Sequence, residues 1–317
     1  MQLAAEAVVG ACKIDEWATP LQPKFLNTFF TNVLGLNLDF DSLAPAEINH
    51  VTEHVSSREA RRELVDLMLA VELLAHPIPE KLSNSIEEWA SALTVYDDGL
   101  VMAREIAHGS HKMAQADLYR HGYWGDIAGE RPEFEALLKK HGVKAYAVTM
   151  EADPEESSRW SNLEHCPPQS LGRAVWQLYV DHGFKFPGVV GAANTVTAVH
   201  DWIHVLADYP PTGLGEIEVG AFRMSSSSLP GASLSFLGEL GFWQSGSIQS
   251  TLTGWHRDAF SMEIEGGAEA VADAFRRGQE CNRDFYRNLD FFDFKDDDLN
   301  ELRKLWNILP KAMIQVG

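Results

Sequence analysis

The sequence predicts an all-α protein, with an N-terminal helical bundle followed by a mostly helical C-terminal region. Apolar residues return every three or four positions in several segments, which is the spacing of one face of an α-helix. No segment shows the sustained alternation of a half-buried β-strand, although residues 146–150 could form one short strand. The clearest helical stripes are Leu64, Leu67, Met68 and Val71, and Leu171, Val175, Leu178 and Tyr179.

Local signals predict where two of the helices begin or end. Ser170 is a suitable N-cap for the second stripe, and Gly183 is a suitable stop for it. Three aspartates at 296–298 precede the apolar series that starts at Leu299. Because acidic residues at a helix start complement the helix dipole, this triplet predicts a helix start and needs no metal ion to explain it.

Composition limits the function classes. The chain has 317 residues, of which 45% are hydrophobic, so it can bury a large core. It carries 46 acidic and 26 basic residues, for a formal net charge of −20. Such a surface repels phosphate backbones, and no basic cluster compensates locally. We therefore expect no nucleic-acid partner.

The cysteines and the N-terminus predict a cytoplasmic protein. Cys12, Cys166 and Cys281 are isolated along the chain, as expected for free thiols in a reducing compartment. Residues 1–17 lack a cationic start, and Glu6 interrupts their apolar run, so no signal peptide is expected. No apolar run approaches the roughly 20 residues that cross a bilayer. Peripheral contact with a membrane stays open.

The sequence predicts two parts, residues 1–110 and residues 111–317. Turn-rich and proline-bearing segments between about 110 and 165 suggest the boundary. Within the first part, residues 3–20 and 64–80 each run apolar and then break at proline. This two-half pattern resembles the small helical TerB-type module, and a generic helical bundle is the alternative.

The candidate site lies in "HDWIHVLADYPPTGLGE". Residues 194–208 predict an amphipathic helix, which Asn194 or Thr195 can cap and which the two prolines after it must end. Histidines four residues apart lie on one helical face, so the imidazoles of His200 and His204 can converge on one cation. Asp201 could be a ligand or could orient an imidazole, and Glu216 could return across the "PPTGLG" turn to complete a His/His/acid set. The alternative is two helix-edge histidines satisfied by hydrogen bonds.

The spacing of these residues resembles the HDxxH-x11-E signature of the Coq-four family of ubiquinone biosynthesis proteins. The segments "PPQSLGRAVWQLYVDHGF", "GEIEVGAFRMSSSSLPGASLSFLG" and "LNELRKLWNI" are similar to further family segments, so the likeness covers about residues 165–310. There are departures: Gly220 replaces a family lysine, and Met224 stands where an acid often follows.

The resemblance implies a mostly helical Coq-four-like domain with a divalent metal, zinc or iron(II), held by His200, Asp201, His204 and Glu216. It also implies a prenylated aromatic or isoprenoid lipid as partner, with oxidative removal of the ring carboxyl at C1 as a candidate activity. Protein partners of a biosynthetic complex, contact with a membrane face and homo-oligomer formation remain open. A non-catalytic lipid-binding scaffold and a metallohydrolase are the alternative functions.

Other patterns are weaker. Residues 229–243 could form the wall of a groove for a prenyl tail or a helix packed in the core. The serines at 225–228 are most simply a loop or turn. Two further groups could bind metal, or could be ordinary surface and loop residues: His108, His111, Asp117 and His121, and His165 with Cys166.

Overall fold

The structure is a computed structural model, and it describes residues 1–124, 132–229, 231–247, 259–286 and 289–314. Over these residues it is all-α, with fifteen α-helices and no β-strand, which confirms the predicted fold class. Val148 and Ala193 form only an isolated bridge. The short strand suggested for residues 146–150 is therefore wrong, because a 3₁₀ turn at Gly142–Tyr146 occupies its start.

Seven α-helices form the first third of the chain. They are α1 Gln2–Cys12, α2 Leu21–Asn32, α3 Ile48–His54, α4 Arg58–Leu73, α5 Glu80–Leu93, α6 Asp98–Ala107 and α7 His111–Asp117.

The middle of the chain has shorter elements. They are a π-helical segment Leu118–Trp124, α8 Pro132–His141, the 3₁₀ turn Gly142–Tyr146, α9 Pro154–Ser161, a 3₁₀ turn Asn162–His165 and α10 Leu171–His182. Ser170 accepts a hydrogen bond from the Arg173 amide, and Gly183 ends α10 with a φ of 66°. Both predicted ends of this helix are confirmed.

The last part contains the candidate site and its supports. It consists of α11 Val199–Ala207, α12 Gly213–Ser225, α13 Gly231–Ser245, a 3₁₀ turn Ser261–Glu263, α14 Gly267–Glu280, a 3₁₀ turn Phe291–Phe294 and α15 Leu299–Leu305. Asp298 caps α15 by accepting from the amides of Asn300 and Glu301, as the acidic triplet predicted.

The helix α13 lies in the hydrophobic core. All of residues 232–244 are buried, so the core-helix interpretation of this segment is the one that the structure bears out. Pro230, which belongs to the segment 229–243, lies outside the described residues. Close packing explains Gly220 on α12, because a Cβ there would come within 3.1 Å of the Phe236 Cα on α13.

One hydrophobic core extends from α1 to the segment after α15. The buried α13 packs against α4 and α6, and α14 packs against α2, so helices from before and after residue 110 share this core. The predicted boundary between residues 1–110 and residues 111–317 therefore stays a prediction. In the described ranges, no helix combines the length and the apolar character needed to cross a membrane.

Candidate metal centre

The histidine-bearing helix is shorter than the sequence predicted. Asn194 Oδ1 accepts hydrogen bonds from the amides of Val196 and Thr197, both at 3.0 Å. This cap holds a turn at 195–198, and α11 begins only at Val199. At its other end the chain leaves the helix at Asp208, which has a left-handed φ of 62°.

A tight turn returns the chain to α11. Thr212 caps α12 by accepting from the Gly215 amide at 3.2 Å. A Cβ at Gly215 would lie only 1.8 Å from the Pro210 carbonyl oxygen, so the turn can close this tightly only with glycine. This close approach brings Glu216, in the first turn of α12, against the histidines.

The structure brings the four predicted side chains together. Glu216 Oε2 lies 3.3 Å from His200 Nε2 and 3.2 Å from His204 Nε2. Asp201 Oδ1 lies 3.3 Å from His200 Nε2. The candidate ligand atoms of His200, Asp201 and His204 lie within 4.8 Å of one another, and this cluster could hold a metal ion.

Hydrogen bonds to the outer ring nitrogens orient both imidazoles. His200 Nδ1 lies 2.6 Å from the Thr197 carbonyl oxygen, and His204 Nδ1 lies 3.0 Å from that of Tyr209. Since a carbonyl can only accept, each Nδ1 must carry the proton, and in the neutral rings the Nε2 lone pairs point at the cluster. Backbone partners of this kind fix the tautomer and orientation of metal-binding histidines.

The unpaired atoms fit a cation. His204 is 2% exposed, and its Nε2 has no hydrogen-bond partner of acceptable geometry, although Glu216 Oε2 is close. The phenol of Tyr179 donates a hydrogen bond to Asp201 Oδ2, which directs the other carboxylate oxygen to the cluster. Two imidazole nitrogens with carboxylate oxygens are donors that suit zinc or iron(II).

Without a metal the centre would bind a proton at His200. Burial opposes a charged imidazole, but the carboxylates of Asp201 and Glu216 outweigh it and raise the pKa of His200 to about 10. For Glu216, burial opposes the carboxylate, but the two histidines together lower its pKa well below the usual range. Burial raises the pKa of Asp201. The site thus favours positive charge between its acids, which a divalent cation also supplies.

Two arginines that sequence reasoning missed hold the end of α11. Arg303 donates to the carbonyls of Val205 and Leu206, both at 2.9 Å. Arg277, which is 1% exposed, donates to the carbonyl of Ala207 at 2.8 Å. Cations at a helix C-terminus satisfy its free carbonyls and complement its dipole. The one sequence signal was the family-like "LNELRKLWNI" segment, which contains Arg303.

A second group of polar side chains lies beside the cluster. The ring of Tyr123 lies 6.0 Å from that of His200, and its hydroxyl donates to Glu239 Oε1 at 3.0 Å. Trp243 Nε1 donates to the other oxygen of Glu239, also at 3.0 Å. Burial and the charge of Glu216 raise the pKa of Glu239 to about 7. None of these residues was singled out from the sequence.

The weaker candidates do not assemble into sites. Elsewhere in the described ranges, no group of three or more His, Cys, Asp or Glu residues brings ligand atoms as close. His121 pairs with Asp98 at 3.4 Å, and Asp117 pairs with Arg120 at 3.0 Å. Cys12, Cys166 and Cys281 are free thiols, as predicted. His108 follows the end of α6, His111 begins α7, and His165 ends a 3₁₀ turn before Cys166. Ser225 is the last residue of α12, so only the serines at 226–228 lie outside the helix as predicted.

Comparisons with known proteins give no sequence match and a distant structural likeness. No family model matches the chain, and no curated protein matches it. The structure has a distant likeness to the crystal structure of a candidate ubiquinone biosynthesis protein from Nostoc punctiforme. That likeness covers 77% of this chain and 96% of the other, with 14% sequence identity and a TM-score of 0.34.

Proposed function

We propose that this chain is a metal-dependent protein of quinone biosynthesis that acts on, or presents, a prenylated aromatic precursor. The observation that carries the proposal is the convergence of His200, His204 and Glu216 at 3.2–3.3 Å, in the spacing that resembles the Coq-four signature. A chance HxxxH pair has no reason to have both outer nitrogens on backbone carbonyls and both inner nitrogens at one carboxylate oxygen.

In this proposal each residue of the cluster has a defined task. His200, His204 and Glu216 hold the metal, and Asp201 is either a further ligand or the acid that orients His200. When bound, the metal supplies a Lewis acid that polarises an oxygen of the aromatic ring. The low exposure of these side chains, 1% for His204 and 13% for Glu216, limits competition from water.

The resemblance extends the proposal to oxidative removal of the ring carboxyl at C1. In this form of the proposal dioxygen is the oxidant: a hydroxyl replaces the ring carboxyl, the carboxyl leaves as CO2, and dioxygen takes up the two electrons to give hydrogen peroxide, with water balancing the atoms. A reaction of this kind at the cluster would need a redox-active metal, so this form of the proposal requires iron(II). Zinc is not redox-active, so a zinc centre fits a protein that binds and presents the ring instead. The identity of the metal therefore separates the enzyme from the scaffold.

A prenylated aromatic or isoprenoid lipid remains the ligand in this proposal. Because α13 is buried, a prenyl tail has no open surface on this helix. Peripheral contact with a membrane, protein partners of a biosynthetic complex and a homo-oligomer belong to the same proposal.

A metallohydrolase is less well supported. In a hydrolase the acid next to the first histidine would serve as a free general base. Here the phenol of Tyr179 donates to Asp201 Oδ2, and Asp201 Oδ1 faces His200 at 3.3 Å. Both carboxylate oxygens are thus engaged within the centre.

The test is metal analysis of the purified protein together with mass spectrometry of the lipids that co-purify with it. We expect about one iron or zinc per chain, given a single site of this kind, and a carboxylated prenyl-phenol in the lipid extract. Geranylated 4-hydroxybenzoate is then incubated with the iron-loaded protein in air. Loss of the ring carboxyl supports the enzyme, and tight binding without turnover supports the scaffold. A protein that binds neither metal nor the aromatic lipid refutes both.

A further inference from the structure

Arg223 is a buried cation for which the described residues supply no anionic partner. It lies on α12 and is 4% exposed, and its Nε has no hydrogen-bond partner. No carboxylate of the described residues forms an ion pair with it. Burying an unpaired charge costs free energy, so buried guanidinium groups normally contact an acid or carbonyl oxygens. Arg277 is an example of the usual case, since it donates to the carbonyls of Ala207 and Leu309.

Two aromatic rings hold Arg223. Its Cζ lies 4.1 Å from the ring centre of Tyr286 and 5.2 Å from that of Tyr123. These cation–π contacts stabilise the charge, but within the described part of the chain the buried Nε–H has no acceptor and no side-chain hydrogen bond from Arg223 is formed.

The acids beside these rings are already engaged. Glu239 accepts hydrogen bonds from Tyr123 and Trp243. Asp284 accepts one from the Ser227 hydroxyl at 3.0 Å and one from the Tyr286 amide at 2.8 Å. Among the described residues no acceptor engages the donor fork of the Arg223 guanidinium, so it is available to an oxyanion that a ligand supplies.

The position of Arg223 relates it to the metal cluster. Glu216, Gly220 and Arg223 are separated by four and three residues, so they share one face of α12. The absence of a side chain at Gly220 lets α13 pack against this face, with the Phe236 Cα 3.1 Å and Glu239 3.6 Å from where a Cβ would lie. The ring of Tyr123 contacts both ends, since it lies 6.0 Å from the ring of His200 and 5.2 Å from Arg223 Cζ.

We propose that Arg223 binds an oxyanion, a carboxylate or a phosphate, of the ligand whose other end reaches the metal cluster. A guanidinium matches both oxyanions with two parallel N–H···O bonds, which a neutral group cannot accept equally well. This inference rests on the proposed function in one respect: it assumes that the ligand bound by Arg223 also contacts the metal cluster.

The experiment compares four small probes by calorimetric titration of the metal-loaded protein. 4-Hydroxybenzoate is paired with 4-hydroxybenzamide, and phenyl phosphate is paired with phenol, so each pair differs in its charged group. We expect one anion to bind about 10- to 100-fold more tightly than its neutral partner, the range for hydrogen bonds to charged groups. The pair that shows this preference identifies the anion as carboxylate or phosphate.

Variants assign the preference to the guanidinium. Arg223→Met should abolish it, and Arg223→Lys should keep part of it. Arg58→Met removes the same charge from an exposed position on α4 and should leave the preference unchanged. A preference that survives Arg223→Met but disappears on metal removal would mean that the metal alone binds the anion, which overturns the inference. So would the absence of binding by both anions in the millimolar range.

Thermal unfolding without a ligand tests whether Arg223 is merely structural. Since no described residue accepts a hydrogen bond from its buried Nε, Arg223→Met should unfold at the same or a higher temperature than the parent protein. A large fall in the unfolding temperature would overturn the inference. If the parent binds no metal but the anion preference still depends on Arg223, the proposed function fails and the oxyanion site stands.

Discussion

The Nδ1 of His204 lies 3.0 Å from the carbonyl oxygen of Tyr209, five residues further along the chain. This bond assigns the ring proton to Nδ1 and leaves Nε2, in the neutral ring, as a lone pair directed at a carboxylate oxygen of Glu216. Two acceptors at 3.2 Å repel each other unless a proton or a metal ion lies between them. The pair therefore has a direct requirement for positive charge.

His204→Ala should remove the metal and leave the helical fold intact. The chain offers a matched control, because His50 and His54 on α3 have the same four-residue spacing and ring centres 4.2 Å apart, but both are exposed. His54→Ala should therefore keep full metal occupancy. Elemental analysis after dialysis and the far-ultraviolet circular dichroism spectrum measure the two effects. Full occupancy in His204→Ala would exclude the assigned ligand set.

Gly215→Ala should weaken both the fold and the metal centre. The new methyl group would lie 1.8 Å from the Pro210 carbonyl oxygen, so the start of α12, and Glu216 with it, must shift. We expect a loss of about 1–3 kcal/mol in the free energy of unfolding, as for other overpacked sites, and weaker metal binding. Urea unfolding and metal titration measure these losses. Gly231→Ala is the control, since the nearest atom to its new Cβ is 3.5 Å away; equal behaviour of the two variants would contradict the role of the turn.

Tyr179→Phe should lower metal affinity without unfolding the protein. It removes the hydroxyl that orients Asp201 but keeps the ring, which lies 5.5 Å from Trp160 and 5.2 Å from Phe186. Loss of such an outer partner typically reduces metal affinity by about 10- to 100-fold. Competition with a chromophoric chelator gives the dissociation constant. Unchanged affinity would show that Asp201 neither binds nor orients within the centre.

Arg303→Met should destabilise the protein, because the carbonyls of Val205 and Leu206 would lose a charged donor. Hydrogen bonds to charged groups contribute about 1.5–3 kcal/mol each, and water can replace part of this at a half-buried site. We expect a loss of about 1–3 kcal/mol in urea unfolding. Lys304→Met is the neighbouring control, because the Lys304 side chain is 72% exposed and its ammonium group bonds the carboxylate of Glu301. A loss of the same size in both variants would mean that the α11 carbonyls do not need Arg303.

Asp66→Asn should change how stability depends on pH. Burial and the charge of Asp97 raise the pKa of Asp66 from 3.8 to about 7. Between those values the folded state binds more protons than the unfolded state, so the stability contributed by this group falls as the pH rises from about 4 to about 7 and then stays low. The asparagine variant should therefore gain stability relative to the parent at pH 8, by on the order of 1–3 kcal/mol. Urea unfolding of the variant and the parent at pH 5 and pH 8 measures the difference in their free energies of unfolding. An identical difference at the two pH values would contradict the raised pKa of Asp66.

Much of the fold could be predicted because the relevant signals are local. Ser170, Gly183 and Asp298 lie within a few residues of the amides or carbonyls that they cap or end. The start of α11 was placed too early because the Asn194 side chain binds the amides of Val196 and Thr197 and caps a turn first.

The candidate ligands were predictable in part. The spacing placed His200 and His204 on one helical face, with two hydrogen-bonded helix-edge histidines as the alternative, and the resemblance implied the set of four. The supporting residues were not predictable. Arg277 and Arg303 reach α11 from 70 to 98 residues along the chain, and even the family-like segment around Arg303 does not indicate that its side chain contacts α11. The sandwich of Arg223 between Tyr123 and Tyr286 likewise depends on tertiary packing.

The burial of α13 determines how a hydrophobic ligand could reach this helix. Every residue from Ala232 to Gln244 is covered by other parts of the chain, including α4 and α6 from the N-terminal third. A long hydrocarbon chain can therefore reach this helix only while its neighbours separate. Uptake by that route would be governed by how often the helices open, and its rate would stop rising once the lipid is abundant.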